Sequence, residues 1–402
     1  MEKHRVIGQA SQQVYEALGR ACTKHTEHQA HFCVEVEQAI IDGNRGAQVK
    51  FSIAFTHMSL AGSSDQGELT WFVVDSVSGD ALAVGHSEKT NIELELERSL
   101  KRQIVDPAFQ PNKSRKSVRF QSPEPQRNSA LMPVLPAVST DSLLSDYMRK
   151  DFCDLIKRHL RQPSQKSMCV AVLENRDKSK NFVYSPADVT YTKRRRAVSL
   201  EQLLTRTNEQ NVSRKIPLYE RLRLAKTLAV AVLQYHSTPW LRTCWRSEDV
   251  YFFGDEVVAV QEPSVLTSPH LNVRVRCPDG HLSRSSTFPP HTLARNPLLF
   301  GLGVVLLEIA YSSTLDSLQR PNDLDGSPRD LYTEFFVARR LASSGHSDMG
   351  GSYHKVVERL VECDFGCGSD LSDIQLQVAL YKDVICPLER LEQKLHDFHL
   401  TP

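Results

Sequence analysis

The densest set of groups able to do chemistry lies near the amino end, where Cys22, His25, His28, His31 and Cys33 follow one another closely. Thiolate and imidazole are the ligands zinc prefers, and four of them close a tetrahedral site. The regular spacing of three matches neither a zinc-finger ligand pair nor a helical i, i+4 pair. The ordinary reading is a polar helix-to-strand connector with Cys33 entering the core. Cys363 and Cys367 flank Phe365 and Gly366, and two thiols around a glycine turn are more often only a loop. Two basic clusters, Lys113-Ser114-Arg115-Lys116 and Lys193-Arg194-Arg195-Arg196, could serve nuclear import or an acidic partner, although most such runs are solvated surface. Ser117, Ser122 before Pro123, and Ser199 after the arginines could accept phosphate. No serine or cysteine sits in a nucleophile-elbow or protease context.

Composition narrows the function classes. The chain has 402 residues, 40% of them hydrophobic and 24% charged, with a formal net charge of +1. These are ordinary values for a globular protein with a sizeable core. A net charge so near zero sets up no overall field that would select nucleic acid or an anionic membrane. The segment MEKHRVIGQASQQ has no apolar stretch of signal-peptide length. The longest apolar run, Leu298 to Ala310, is too short to span a bilayer and carries Glu308. The nine cysteines are scattered along a chain without a secretory signal. They are expected as reduced thiols in a cytoplasmic or nuclear protein that is not secreted.

The elements that would position these groups follow from periodicity. Residues 5–22 carry Val6, Ile7, Ala10, Val14, Leu18 and Ala21 on one helical stripe. Strands are expected at Phe32 to Val36, Val49 to Phe55 and Leu69 to Val77, with a turn at Gly43 to Gly46. A short charged helix follows at Asn91 to Arg102. Residues 106–140, rich in Pro, Ser, Lys and Arg, read as a flexible linker or insertion. A helix from about 141 to 160 follows, carrying Leu144, Met148, Phe152, Leu155 and Ile156 on one side. Met168 to Glu174 is a strand that Phe182 to Tyr184 could pair with. Ser199 and Gln202 form a capping box before LEQLL. Pro217 opens a helix with Leu222, Ala225, Leu228, Ala229 and Val232 on its apolar face. Leu298 to Ala310 is apolar all round and should be a buried central helix. Tyr353 to Cys363 and Leu371 to Leu395 are amphipathic helices, the second bent at Pro387.

Strands, a helix, more strands and then a helical half is the order of a protein-kinase fold. Leu222 to Phe253, LRLAKTLAVAVLQYHSTPWLRTCWRSEDVYFF, resembles the long kinase helix ending in a His, followed by the catalytic loop and a strand pair. Phe300 to Glu308, FGLGVVLLE, resembles the buried central helix of kinases. With VVERLVECDFG and LQVALYKDVICPLERLE, the chain resembles a fungal family, domain of unknown function 7580, with a degenerate protein-kinase-like domain. The resemblance runs from about Ser142 onward, and more weakly over Val14 to Val77. It implies an α+β, two-lobed, degenerate protein-kinase-like fold. The small strand-rich lobe would be drawn from 1–105 and 141–198, with the linker 106–140 between them and a helical lobe over 199–402.

Under that resemblance the phosphoryl-transfer parts can be sought residue by residue. A kinase needs an Asp base, an Asn and an Asp for magnesium, a Lys on the third strand and a Gly-rich loop. Aligned from His236, the His-Arg-Asp triplet falls on Arg242, Thr243 and Cys244, so the base position holds a thiol. The magnesium Asn falls on Asp249 and the Asp-Phe-Gly triplet near Glu262, Pro263 and Ser264. The expected third strand, LTWFVVDSV, has no Lys, and Gly43 to Gly46 lacks the Gly-rich spacing. Asp249 and Glu262 could remain as a metal pair, yet two carboxylates without a phosphate hold magnesium weakly. A turn cap for Asp249 and a solvated loop for Glu262 are the ordinary roles.

The expectation is therefore a pseudokinase-type interaction or signalling protein and not an enzyme. It would have no catalytic residue, no cofactor and no small-molecule substrate, and its partners would be proteins, not membrane or nucleic acid. An atypical nucleotide- and magnesium-binding enzyme using Asp249 and Glu262, and a nuclear regulator using the basic clusters, are the alternatives.

Overall fold

The apolar stripe near the amino end forms helix α1 (Glu2–Arg20), which buries Ile7, Ala10, Val14 and Leu18. The computed structural model describes residues 1–22, 27–42, 46–56, 69–78, 152–154, 169–177, 179–186, 196–209, 216–254, 268–276, 293–323, 331–345 and 347–400. The linker 106–140, the helix at Asn91 to Arg102 and most of the helix expected over 141–160 lie outside them.

Four strands follow α1: β1 (Glu27–Cys33), β2 (Gln38–Asp42), β3 (Gly46–Thr56) and β4 (Leu69–Ser78). Two are where alternation placed them. The first is displaced: the expected strand Phe32 to Val36 instead ends at Cys33 and begins in the polar stretch at Glu27. Pairing decides this. β1 is zipped over its whole length to β9 (His270–Arg276), from Glu27 opposite Arg276 to Cys33 opposite His270. A partner so distant in sequence overrides the local apolar pattern. Beyond Cys33 the chain turns, and Val34 N–H donates to Pro269 C=O at 3.0 Å. The five-residue β2 was not foreseen; it pairs with the first half of β3, while β1 pairs with the second half.

β5 (Cys169–Glu174) and β6 (Lys180–Tyr184) form the expected antiparallel pair. β7 (Arg196–Ser199) and β8 (Val250–Gly254) complete one antiparallel sheet in the order β5-β6-β4-β3-β1-β9-β8-β7. The fold is thus mixed helix and strand around an antiparallel sheet. That sheet runs without a break from the amino-terminal strands into the strand pair that follows the candidate loop.

The helices are mostly where their faces placed them. Ser199 and Gln202 make the reciprocal capping box at the start of α2 (Leu200–Glu209): Gln202 N–H donates to Ser199 Oγ at 3.1 Å, and Ser199 N–H to Gln202 Oε1 at 3.3 Å. α3 (Leu218–Tyr235) follows Pro217. α4 (Pro297–Tyr311) is buried from Leu299 to Ala310, as its apolar circumference requires. Asn296 Oδ1 caps it, accepting from Leu299 N–H at 3.0 Å. α5 (Leu331–Ser344) and α6 (Gly351–Glu362) pack on it. The last helical stretch is interrupted upstream of Pro387: α7 (Ile374–Leu380) passes through a π-helical turn, Tyr381–Ile385, into α8 (Cys386–Leu400). Proline lacks an N–H and crowds the carbonyl four residues back, so the ladder rearranges before it. A single apolar cluster joins α1, the sheet, α3, α4 and α6 to α8. Among the described residues no helix is long and apolar enough to cross a membrane.

Candidate functional site

The loop after α3 is held by its aromatic residues. Tyr235, fully buried at the helix end, donates its hydroxyl to Val34 C=O at 3.1 Å. Trp240 is buried between α1 and β1. Its indole N–H donates to Ser11 C=O at 2.7 Å, its ring stacks on Phe32 at 4.3 Å, and Tyr15 meets it edge-on at 5.2 Å. Thr238 Oγ1 donates to Tyr235 C=O at 2.9 Å and tightens the turn between them. HSTPWL therefore works as an anchor that fixes the loop against the amino-terminal helix and strand.

Of the loop's charged residues, Arg242 pairs with Asp249 inside the loop and Arg246 with Glu334 on α5. Asp249 ends a short 3-10 turn (Ser247–Asp249). Its Oδ2 accepts from Arg246 N–H at 3.0 Å, and its Oδ1 accepts from the Arg242 guanidinium. Arg246 donates in two-pronged fashion to Glu334 on α5, at 2.5 and 2.8 Å, and a third time to Trp245 C=O at 2.7 Å. Gly301 on α4 lets this backbone come close, since a Cβ there would lie 2.8 Å from Trp245 C=O. Below lies Glu308 on α4, almost wholly buried. Its Oε1 accepts from Leu315 N–H at 2.9 Å. Burial pushes this carboxyl up to about 7, against the opposing pull of hydrogen bonds from Leu315 and Ser247 and of the Arg246 charge. Burial lowers the pKa of His236 at the end of α3, whose Nδ1 lies 3.1 Å from Leu233 C=O.

Cys244 is the residue that the kinase resemblance aligns with the catalytic base. Cys244 is exposed and borders a shallow pocket with Leu293, Pro297, Phe300 and Phe335. Asp249 has the capping role. Glu248, the loop's other carboxylate, is exposed and aligns with neither catalytic role. Glu262 lies outside the described residues. With β2 present, LTWFVVDSV is the fourth strand and not the third. The third is β3, and it does carry a lysine: Lys50 faces Asp75 on β4 at 3.9 Å. Asp75 is buried, which raises its carboxyl pKa, and accepts from Gln48 Nε2 at 2.7 Å.

The Cys/His set of the amino end does not come together as written. His31 is buried beside Tyr251 and Phe253, with Nε2 3.2 Å from Thr56 Oγ1; burial lowers its pKa to about 4. Cys33 is buried at the end of β1, and His25 lies outside the described residues. Cys22 and His28 do converge, and the third member is Cys153, which sequence spacing could not supply. Their ligand atoms lie within 4.8 Å of one another. Cys363 is buried and Cys367 half-buried after α6. Of the basic clusters only Arg196, the first residue of β7, is described.

Trp240, Arg246, Glu334 and Glu308 were not singled out as site residues by sequence. Glu308 had a signal, as a lone carboxylate in an apolar helix must find partners. Arg246 and Glu334 are too far apart in the chain for spacing to reveal them.

A family model described as a domain of unknown function (DUF7580) matches residues 78–394. No curated protein matches the sequence. Among solved structures, vaccinia related kinase 3 is 12% identical, with 90% of this chain and 92% of that chain covered at a TM-score of 0.29. The PknI kinase domain of Mycobacterium tuberculosis is 9% identical, with 89% and 95% covered at a TM-score of 0.25.

Proposed function

The chain belongs to the family described as a domain of unknown function (DUF7580), and we propose that it is a kinase-like interaction module that binds protein partners without transferring phosphate. The observation that carries this reading is the engagement of Asp249, whose two oxygens are taken by Arg242 and by the Arg246 backbone. Phosphoryl transfer is almost wholly positioning and charge neutralisation. A carboxylate that caps a turn and pairs with an arginine is poorly placed to hold magnesium, and Cys244 offers a thiol where the substrate hydroxyl needs a carboxylate. The buried Trp240 anchor and the Arg246–Glu334 pair support a loop kept for architecture.

One observation favours a second reading, a nucleotide-binding protein. Lys50 stands on β3, the strand on which a kinase carries its phosphate-gripping lysine. Its contact with Asp75 already occupies that charge.

Thermal melting with saturating magnesium-ATP, run beside a phosphate-release assay, separates the two. A ligand selective for the folded state must raise Tm by mass action. The interaction module predicts no shift and no release. An upward shift that Lys50→Met abolishes would replace it with the nucleotide-binding reading.

A further inference from the structure

We propose that Cys22, His28 and Cys153 form a zinc site that clips the end of α1, the start of β1 and the segment 152–154 together. Cys153 Sγ lies 3.2 Å from Cys22 Sγ and 3.3 Å from His28 Nε2, and all three ligand atoms fall within 4.8 Å of one another. Zinc bonds of about 2.3 Å to sulfur and 2.0–2.1 Å to nitrogen put the ligand atoms of a tetrahedron roughly 3.5–3.8 Å apart. The two spacings to Cys153 are within about half an ångström of that geometry, and the third, between Cys22 and His28, closes to it from within 4.8 Å. Two sulfurs and one imidazole are a zinc-type donor set, and they leave the fourth position to water or one more ligand.

The convergence is built by the fold and does not follow from sequence proximity, because Cys153 is 131 residues from Cys22. Phe152 does the placing. It is buried, packs edge-on to Phe55 at 5.6 Å and lies 6.0 Å from Phe72, and its N–H donates to Ala21 C=O at 3.0 Å. That bond brings the residue after Phe152 beside the residue after Ala21, which are the two cysteines. β1 supplies the third ligand: the register that sets His28 opposite Val275 fixes the imidazole at the same corner.

Charge and burial suit a metal. Cys22 and Cys153 are 1% and 5% exposed. As zinc binds, each thiol loses its proton to solvent, so two protons leave and two thiolates balance the dication. The filled site is neutral with a neutral His28, and burying it carries no net charge into the core. Neither His31, which sits against Thr56, nor Cys33 is among the converging ligand atoms.

The test uses the full chain, purified reduced, and zinc and cobalt(II) as probes. The expected result is one zinc per chain and a cobalt form with tetrahedral visible bands and a thiolate-to-metal charge-transfer band. Cys153→Ser should lose that band, while Cys33→Ser and His31→Asn keep it. Alkylation mapping on the unmodified chain guards against a variant that fails to fold. Cys22 and Cys153 should be protected with zinc and become reactive after chelation, with Tm falling on chelation and recovering on zinc return. Zinc below stoichiometric amounts, a cobalt band untouched by Cys153→Ser, or a Cys22–Cys153 disulfide in the reduced preparation would overturn the site.

Discussion

The Arg242 guanidinium closes on Oδ1 of Asp249 while the backbone N–H of Arg246 takes Oδ2, so one carboxylate serves at once as ion-pair partner and as turn cap. The two roles can be separated. Arg242 is more than half exposed, and an exposed pair contributes well under about 1 kcal/mol after solvent screening. The cap satisfies a backbone donor, and losing one costs about 1 kcal/mol. Urea denaturation should therefore show Asp249→Ala less stable by about 1 kcal/mol, with Arg242→Ala close to the parent. Loss of stability in Arg242→Ala equal to that in Asp249→Ala would mean that the ion pair is the main role.

Glu308 and His31 give the protein opposite pH dependences over the same window. Burial raises Glu308 from 4.5 to about 7. Its contribution to stability is full below the unfolded value and is lost as pH rises through about 7. Burial lowers His31 from 6.5 to about 4. Its contribution is full above the unfolded value and is lost as pH falls through about 4. Each is worth roughly 3 kcal/mol across the window, and together they nearly cancel. Glu308→Gln should therefore leave a protein whose stability falls toward pH 4, and His31→Phe one whose stability falls toward pH 8. Denaturation midpoints at pH 5, 6.5 and 8 read both slopes; parallel profiles for the two variants would refute the assignment.

What the sequence made legible was whatever short-range periodicity controls. α4 declared itself by apolar residues on every face, and α2 by Ser199 and Gln202 three residues apart. β1 did not, because a polar strand is made by its partner β9 and not by its own pattern. HSTPWL marked the loop that follows α3, yet the loop's energetics rest on Arg246, Glu334 and Glu308. Their meeting depends on how α5 crosses α4. The Cys22–His28–Cys153 convergence is of the same kind: half lay in an apparent His/Cys run, and the other half behind a distant phenylalanine.

Gly301 tests the close approach of the loop to α4. Replacing a mid-helix glycine by alanine ordinarily gains up to about 1 kcal/mol. Here the new Cβ would meet Trp245 C=O at 2.8 Å and Arg246 Nη1 at 3.1 Å. Backbone cannot step aside cheaply, and overpacking costs about 1–3 kcal/mol. Gly301→Ala should lower the denaturation midpoint. Gly351→Ala, at the open start of α6 with nothing within 4 Å, should leave it unchanged or raise it. A neutral Gly301→Ala would mean that the loop backbone yields there.

The strongest single dependence should be on Arg246. Its guanidinium pairs with both oxygens of Glu334 and holds Trp245 C=O. It also lies 5.5 Å over the Phe300 ring. Both partners of the ion pair are about four-fifths buried, at 19% and 21% exposure. Removing one member of such a pair strands the other charge, and that costs roughly 3–5 kcal/mol. Arg246→Ala should therefore be severely destabilised, and Arg246→Lys only partly better, because an ammonium cannot match the two-pronged geometry. Replacing both members with apolar residues, Arg246→Met with Glu334→Leu, should recover most of the loss, since no unpaired charge remains buried. Arg246 also pulls the Glu308 carboxyl downward. In Arg246→Met with Glu334→Leu the pull of Arg246 and the opposing push of Glu334 vanish together, so the fall in stability with rising pH should stay near pH 7. In Arg246→Lys a positive charge is retained and the same midpoint should hold. A double-mutant cycle by urea denaturation at pH 6 and pH 8 measures both effects. If the double variant is as unstable as Arg246→Ala, the site depends on the packing of the guanidinium and not on its charge.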